Sequence, residues 1–229
     1  MSKEMIKNEK DFVVPGDEVV KSMDYLPGKN TFREGDSIFA KRLGVVSLSG
    51  RVVSVIPLSG VYAPKIGDMV LGEVIDIQSN GWVVEINSFC QGYLPLSGVR
   101  DYIDTNKTSL SSVYAMGDLI YAKISAMNPS SDSVYLSMQD SRSRKFNSGR
   151  IVRISPSKVP RLIGKMGSMI NVIKDNTGCR ISVGQNGLVW LDGENIDLAL
   201  QAVKMIEENA HKVSGLTDKV SDFLSGKKK

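Results

Sequence analysis

The sequence predicts a multidomain chain: an all-β N-terminal domain, then a five-stranded β-barrel, then an α+β domain with helices on one sheet. Three observations carry this. Turns of the type Gly-Asp followed by apolar residues recur at Gly16-Asp17, Gly35-Asp36, Gly67-Asp68 and Gly117-Asp118, and residues 12–138 hold short strands with no persuasive long helix. Within residues 66–140 five strand-like runs follow one another. After residue 150 the pattern becomes strand, helix, glycine-bounded loop, helix, strand, strand, helix.

The N-terminal domain, residues 1–65, contains the runs Phe12-Val13-Val14, Ile38-Phe39-Ala40, Leu43-Gly44-Val45-Val46 and Val52-Val53-Ser54-Val55-Ile56. Alternating β-branched residues mark strands, and Pro15, Pro57 and Pro64 mark edges and turns. It carries no recognisable chemistry. At this size it is marginal alone, and it reads as a docking surface for a neighbour or partner protein.

The barrel region opens with Val70 to Ile77 and continues with Gly81 to Ile86 and Gln91 to Pro95. A polar stretch from Asp104 to Val113, expected to be mobile, precedes the last two strands, Leu119 to Ile124 and Ser133 to Met138. Five strands with the longest insertion between the third and fourth give an OB-fold. The patterns G-D-x-V-x-G-x-V, G-W-x-V, G-Y-L-P and V-Y-L-S resemble an S1 RNA-binding domain. The resemblance implies that aromatic residues of the second and third strands, Trp82 and Tyr93, stack on bases, with Arg100 and Lys123 as phosphate partners. Trp82 has a second reading, as a barrel-packing residue. Glu73, Asp76, Glu85, Asp101 and Asp104 keep this surface from being strongly basic.

In the α+β domain, residues 141–212, the run Arg161-Leu162-Ile163-Gly164-Lys165-Met166-Gly167-Ser168-Met169-Ile170 reads as a helix end, a four-residue loop and a second helix start. Glycine at each end lets the backbone turn sharply and approach a ligand with no Cβ in the way. The second helix directs free N–H groups and its positive dipole end at the loop, and Lys165 adds a cation, so a phosphate chain suits it. Upstream, Arg150 to Ser155 alternates as a strand; downstream, Asn186-Gly187 joins two apolar runs as a hairpin turn. A last amphipathic helix near 195–212 places Ile196, Leu200, Val203 and Ile206 on one side. Order and loop resemble a type I KH domain, whose GXXG loop clamps about four single-stranded nucleotides. The resemblance implies RNA contact by Arg161, Gly164, Lys165, Met166 and Gly167. The same residues could also form a helical hairpin without a ligand.

Charge is unevenly distributed. Residues 150–229 carry thirteen Lys/Arg against eight Asp/Glu, a net of +5, while residues 1–149 have sixteen against seventeen. No Asp or Glu occurs from Ser141 to Lys174. A basic region around the glycine loop is the electrostatic footprint of a phosphate-backbone ligand. The segment 213–229, ending Gly226-Lys227-Lys228-Lys229, is expected to be a flexible basic tail.

Other classes are poorly served. No apolar stretch approaches the roughly 20 residues needed to span a bilayer, and the charged N-terminus lacks a secretory signal's apolar segment. Cys90 and Cys179 fall in different expected domains, which argues against a disulfide framework or a metal cluster. His211, the single histidine, is expected to be solvated, and scattered carboxylates such as Asp76 and Glu85 provide no acid–base pair. The expectation is a cytoplasmic protein that is not an enzyme, with no cofactor and no metal.

Taken in order, V-V-P-G-D, a Y-x-P-x-x-G-D-x-V-x-G-x-V segment, an S1-like domain and L-I-G-x-x-G-S-M-I resemble the RNA-binding cap subunit family of the archaeal exosome, over nearly the whole chain. Bacterial polynucleotide phosphorylase carries KH before S1, together with catalytic domains that have no counterpart here. The resemblance implies a non-catalytic subunit that binds single-stranded RNA. Three copies would sit on a hexameric ring of phosphorolytic subunits and feed substrate 3′ ends to the pore. A free-standing S1/KH regulator or translation-associated protein is the alternative, and the strand-rich N-terminal segment argues against it.

Overall fold

β-Branched residues in short alternating runs dominate the first part of the chain, and they form eight strands. In the computed structural model, which describes residues 4–104, 107–128, 133–210 and 215–226, these are β1 (Glu4–Met5), β2 (Phe12–Val13), β3 (Glu18–Lys21), β4 (Leu26–Pro27), β5 (Thr31–Glu34), β6 (Ser37–Ala40), β7 (Gly44–Ser49) and β8 (Val52–Pro57). They pair as two four-stranded sheets, β1-β3-β6-β5 and β2-β7-β8-β4. The core of this part is small, built from Val13, Val19, Val20, Ile38, Ala40, Val46, Val53 and Val55.

The chain divides into two compact units, Met1–Gly60 and Val61–Lys229. The first boundary, expected after residue 65, falls after Gly60. The reason is Tyr62, which is buried in the barrel core and donates its hydroxyl to Asp68 at 2.6 Å. Burial and the Asp68 carboxylate push the Tyr62 pKa far above its ordinary value, so this donor keeps its proton.

In the second unit, β9 (Met69–Gln78), β10 (Gly81–Glu85), β11 (Gly92–Pro95), β12 (Leu119–Asn128) and β13 (Ser133–Ser137) close a five-stranded barrel, in the order β13-β11-β10-β9-β12 with β12 returning to β13. The β11–β13 pair is parallel and the other pairs of this barrel are antiparallel. Val70, Val74, Trp82, Val84, Leu94, Ile120, Ile124 and Leu136 fill the interior. The polar insertion expected to be mobile contains α1 (Leu110–Val113), whose Leu110 and Val113 pack on that interior. Thr105 and Asn106 lie outside the described residues. A further strand, β14 (Arg144–Phe146), pairs with the first residues of β12, so this stretch extends the barrel sheet and does not open the next domain as expected.

The remainder follows the expected order: β15 (Arg150–Arg153), α2 (Val159–Ile163), α3 (Ser168–Thr177), β16 (Arg180–Val183), β17 (Leu188–Asp192) and α4 (Ile196–Asn209), with sheet order β15-β17-β16. Val152, Val189 and Leu191 of the sheet face Leu162, Ile173, Val203 and Ile206 of the helices. The segment expected to be a flexible tail instead forms α5 (Leu216–Gly226). Its Leu216, Val220 and Leu224 recur at helical spacing and are buried in the same core, so burial of one apolar stripe orders it. His211 and Lys227 to Lys229 lie outside the described residues. Among the described residues no helix is long and apolar enough to cross a membrane.

The sheet's other face meets the barrel. Leu188 and Trp190 pack with Leu71 and Phe146, joined by Leu119, Tyr121 and Ile151. The β16–β17 turn also enters the barrel wall: Gln185 donates its N–H to the Met69 carbonyl at 2.8 Å, and Asn186 is fully buried. The Asn186 amide nitrogen donates to the carbonyls of Leu71 (2.6 Å) and Ile86 (2.7 Å), and Asn87 donates to the Asn186 carbonyl at 3.0 Å. Tyr121 donates to the Val183 carbonyl at 3.0 Å, and burial raises its pKa so that it stays protonated. Barrel and α+β domain therefore share one packed seam.

Candidate nucleic-acid interface

The glycine loop adopts the geometry its sequence requires. α2 ends at Gly164, with φ 75° and ψ 174°; Met166 has φ 53° and ψ 29°; Gly167, at the N-terminus of α3, has φ 80°. A Cβ on Gly164 would lie 2.7 Å from both the N and Cβ of Met169, so glycine is needed there for space as well as for φ. Gly167 has room, its nearest neighbours being 3.8 Å or more away, and only its positive φ favours glycine. The turn is held by the Gly164 N–H donating to Pro160 and the Gly167 N–H to Gly164.

The electrostatics match. No side chain caps the N-terminus of α3, and no acid stands in its first turn. The Ser168 N–H donates to the Lys165 carbonyl, and the N–H groups that follow it in the first turn of α3 lie at the positive end of the helix dipole. Met166 is 97% exposed, Lys165 is exposed on the same turn, and Arg161 is exposed on α2, three residues before Gly164. Among the described residues neither cation is in a salt bridge. The five residues expected around this loop thus lie on the last turn of α2 and on the turn that leads into α3.

The barrel face differs from expectation at one residue. Trp82 is fully buried, its Nε1 donating to the Tyr114 carbonyl at 3.0 Å and its ring meeting Tyr114 edge-on at 5.1 Å. It cannot stack on a base. Strand alternation is the cause: Trp82 pairs with Ile77 and Leu94 inside, whereas Val83 pairs with Asp76 and Tyr93 outside. The period-two set Trp82, Val84 and Ile86 carried that signal in the sequence.

Tyr93 does point outward, half-buried, with its ring edge-on to Tyr135 at 5.9 Å. Tyr135 was missed by sequence reasoning. It lies opposite Tyr93 across the parallel β11–β13 pair, and the alternation Val134-Tyr135-Leu136 assigns it to the outer face. The outward aromatic pair is therefore Tyr93 with Tyr135.

Arg100 and Lys123 converge on one residue. Arg100 donates to the Asp140 carbonyl at 3.0 Å, and Lys123 Nζ lies 3.4 Å from the Asp140 carboxylate. Arg142, with Nε 3.1 Å from the same carboxylate, completes the group. The Arg142 guanidinium holds the Asp140 carboxyl far below the usual carboxylate range, with Lys123 contributing. Lys123 faces Ser137, two residues along β13 from Tyr135, so this cluster borders the tyrosine pair.

Comparison with known proteins agrees with this domain order. Family models match for an exosome complex exonuclease RRP4 N-terminal region at residues 12–49, an RRP4 S1 domain at 61–126 and a KH domain at 149–197. The exosome complex component Rrp4 of Thermococcus kodakarensis is 40% identical over 227 residues, spanning 97% of this chain and 88% of the relative. That of Methanobrevibacter smithii is 44% identical over 218 residues, spanning 94% and 71%. A solved structure assigned to an exosome complex RNA-binding protein superposes with TM-score 0.64 at 32% identity, over 73% of this chain and 97% of that one.

Proposed function

The chain belongs to the Rrp4 family of exosome complex components, and from that premise we propose that it is a non-catalytic RNA-binding subunit of an archaeal exosome, a complex that degrades RNA from the 3′ end. The observation that carries the RNA-binding part is the Gly164–Gly167 turn. It has an uncapped helix N-terminus with no acid in the first turn, and two cations in no salt bridge among the described residues. Such a turn grips phosphate rather than bases, so it selects accessible single strands over particular sequences. Tyr93 and Tyr135 add a stacking surface on the barrel that tolerates any base.

Each grip is weak and sequence-tolerant. Linking them in one compact unit raises the effective concentration of the second once the first is engaged. In the complete assembly three copies of this chain cap a hexameric phosphorolytic ring in the cytoplasm and guide single-stranded 3′ ends toward the pore. The relatives are components of an exosome complex, and in this reading bond cleavage belongs to the ring.

Co-purification of the tagged chain from its native cell, with mass spectrometry and light scattering, tests this. Recovery of ring subunits at one copy of this chain per two ring subunits is the expected result. A monomer that brings down no phosphorolytic subunits overturns the cap assignment in favour of a free-standing regulator. Nuclease assays of the isolated chain, with divalent metal and inorganic phosphate, should show no turnover.

A further inference from the structure

A second basic feature lies at the rim of the seam between barrel and KH domain. The Phe146 and Trp190 rings stack there, with centroids 4.1 Å apart and planes at 24°. The Arg144 guanidinium lies 5.9 Å from the Phe146 centroid, and that of Arg180 lies 5.9 Å from the Trp190 centroid. A ring holds a cation in place through its quadrupole without neutralising its charge. Arg144, Lys145 and Arg180, with Asn147 and Ser148, surround a concavity of about 220 Å³.

The charge balance is positive. Asp192 pairs with Arg180 and Asp118 with Lys145, whereas Arg144 donates to the Arg142 carbonyl, at 3.4 Å. Three cations thus face two carboxylates, and the Arg180 side chain is still 76% exposed. The concavity is smaller than the roughly 300–1,000 Å³ of small-molecule pockets. It suits one phosphate group of a chain that passes over it.

α3 separates this place from the glycine loop. The loop stands before the first residue of that helix, and Arg180 comes just after its last turn, about 15 Å along the axis at 1.5 Å per residue. A ligand that reaches both must be a polymer. We infer that the Arg144–Lys145–Arg180 concavity is a second binding site for the phosphodiester backbone of single-stranded RNA, separate from the glycine loop. The inference rests on the RNA-binding reading given above and adds to it a path along the seam that ties barrel to KH domain.

The test uses the full chain and two oligoadenylate probes: one of about four nucleotides, which the glycine loop alone can hold, and one longer than the about 16 nucleotides that an OB-fold site spans. Arg144→Gln with Arg180→Gln should weaken the long probe several-fold and reduce its salt slope by about 1.4, at about 0.7 per phosphate contact. The short probe should bind as before. Wild-type affinity and slope for the long probe would refute the site. The charge-keeping pair Arg144→Lys with Arg180→Lys should retain the slope; its loss there would trace the effect to ring packing and equally refute the site. Lys165→Asp with Met166→Asp, measured in parallel, separates the two claims. Failure of both variant pairs to change binding removes the RNA-binding reading itself. A silent arginine pair beside an inactive loop variant removes only the second site.

Discussion

Asn186 donates its side-chain amide to the Leu71 carbonyl at 2.6 Å and accepts the Leu71 N–H at 3.3 Å, across 115 positions of sequence. The turn of the KH hairpin thereby becomes part of the barrel wall, and the two RNA-binding modules are fixed in orientation.

Asn186→Ala removes the partner of the Leu71 N–H and of the Leu71 and Ile86 carbonyls. Each buried backbone group left unsatisfied costs about 1–3 kcal/mol. The expected loss is about 3 kcal/mol or more, or roughly 6–12 °C in Tm at about 2–4 °C per kcal/mol for a unit of this size. Calorimetry should show the shared transition of barrel and KH domain falling and splitting. A single transition at the wild-type temperature would mean the seam is held elsewhere.

Trp82 and the outer tyrosines should separate cleanly. Trp82→Ala opens a cavity in the barrel and should cost about 3–5 kcal/mol of stability. Tyr93→Ala and Tyr135→Ala should leave folding nearly intact and weaken RNA binding, base stacking being worth about 1–3 kcal/mol per base. Chemical denaturation and RNA titration of the three variants check this. Intact stability in Trp82→Ala, or wild-type RNA affinity in both tyrosine variants, would contradict the assignment of faces.

Much of this architecture was legible in the sequence because its signals are local. Gly164 and Gly167 at the two ends of one loop, Asn186-Gly187 between apolar runs, and the period of Val203 and Ile206 each report on their own neighbourhood. What was not legible depends on distant partners. Nothing near Asn186 reveals that Leu71 needs its side chain. The stripe Leu216, Val220 and Leu224 was outweighed by the polar residues and terminal lysines around it, although burial against the KH core orders it as a helix. Trp82 was legible and misjudged, since its alternation with Val84 and Ile86 outranks the presence of an aromatic ring.

Asp140 restrains the barrel's cations. Asp140→Asn should release Lys123 and Arg142, raise RNA affinity, and steepen the salt dependence by about 0.7 for each additional phosphate they neutralise. The sign of the pH effect follows from the depressed carboxyl pKa. The stabilising charge is fully present above the unfolded value of about 3.9 and is lost only as pH falls from there through the much lower folded value. RNA affinity should therefore be insensitive to this group between about pH 5 and 8, the range well above that unfolded value. Titrations at several pH values check it, and weaker binding by Asp140→Asn would show that the carboxylate positions the cations instead of masking them.

Removing α5 should unfold more than a tail. Truncation before Leu216 strips three buried apolar side chains from the KH core, each worth about 1.5–3 kcal/mol when fully buried. The expected outcome is a lower midpoint in denaturant for the second unit and weakened binding through the glycine loop. An unchanged midpoint would mean that α5 rests on the core without supporting it.

The central claim is that the Gly164–Gly167 turn grips the RNA backbone, and one titration addresses it directly. Lys165→Asp with Met166→Asp replaces one cation and adds two carboxylates on the open turn, and Asp tolerates the left-handed conformation of residue 166. The fold should therefore survive, as circular dichroism can verify. Single-stranded oligoadenylate binding, followed by fluorescence anisotropy, should weaken by at least about tenfold, comparable to losing one charge-assisted hydrogen bond worth about 1.5–3 kcal/mol. Wild-type affinity in the folded variant would contradict the account.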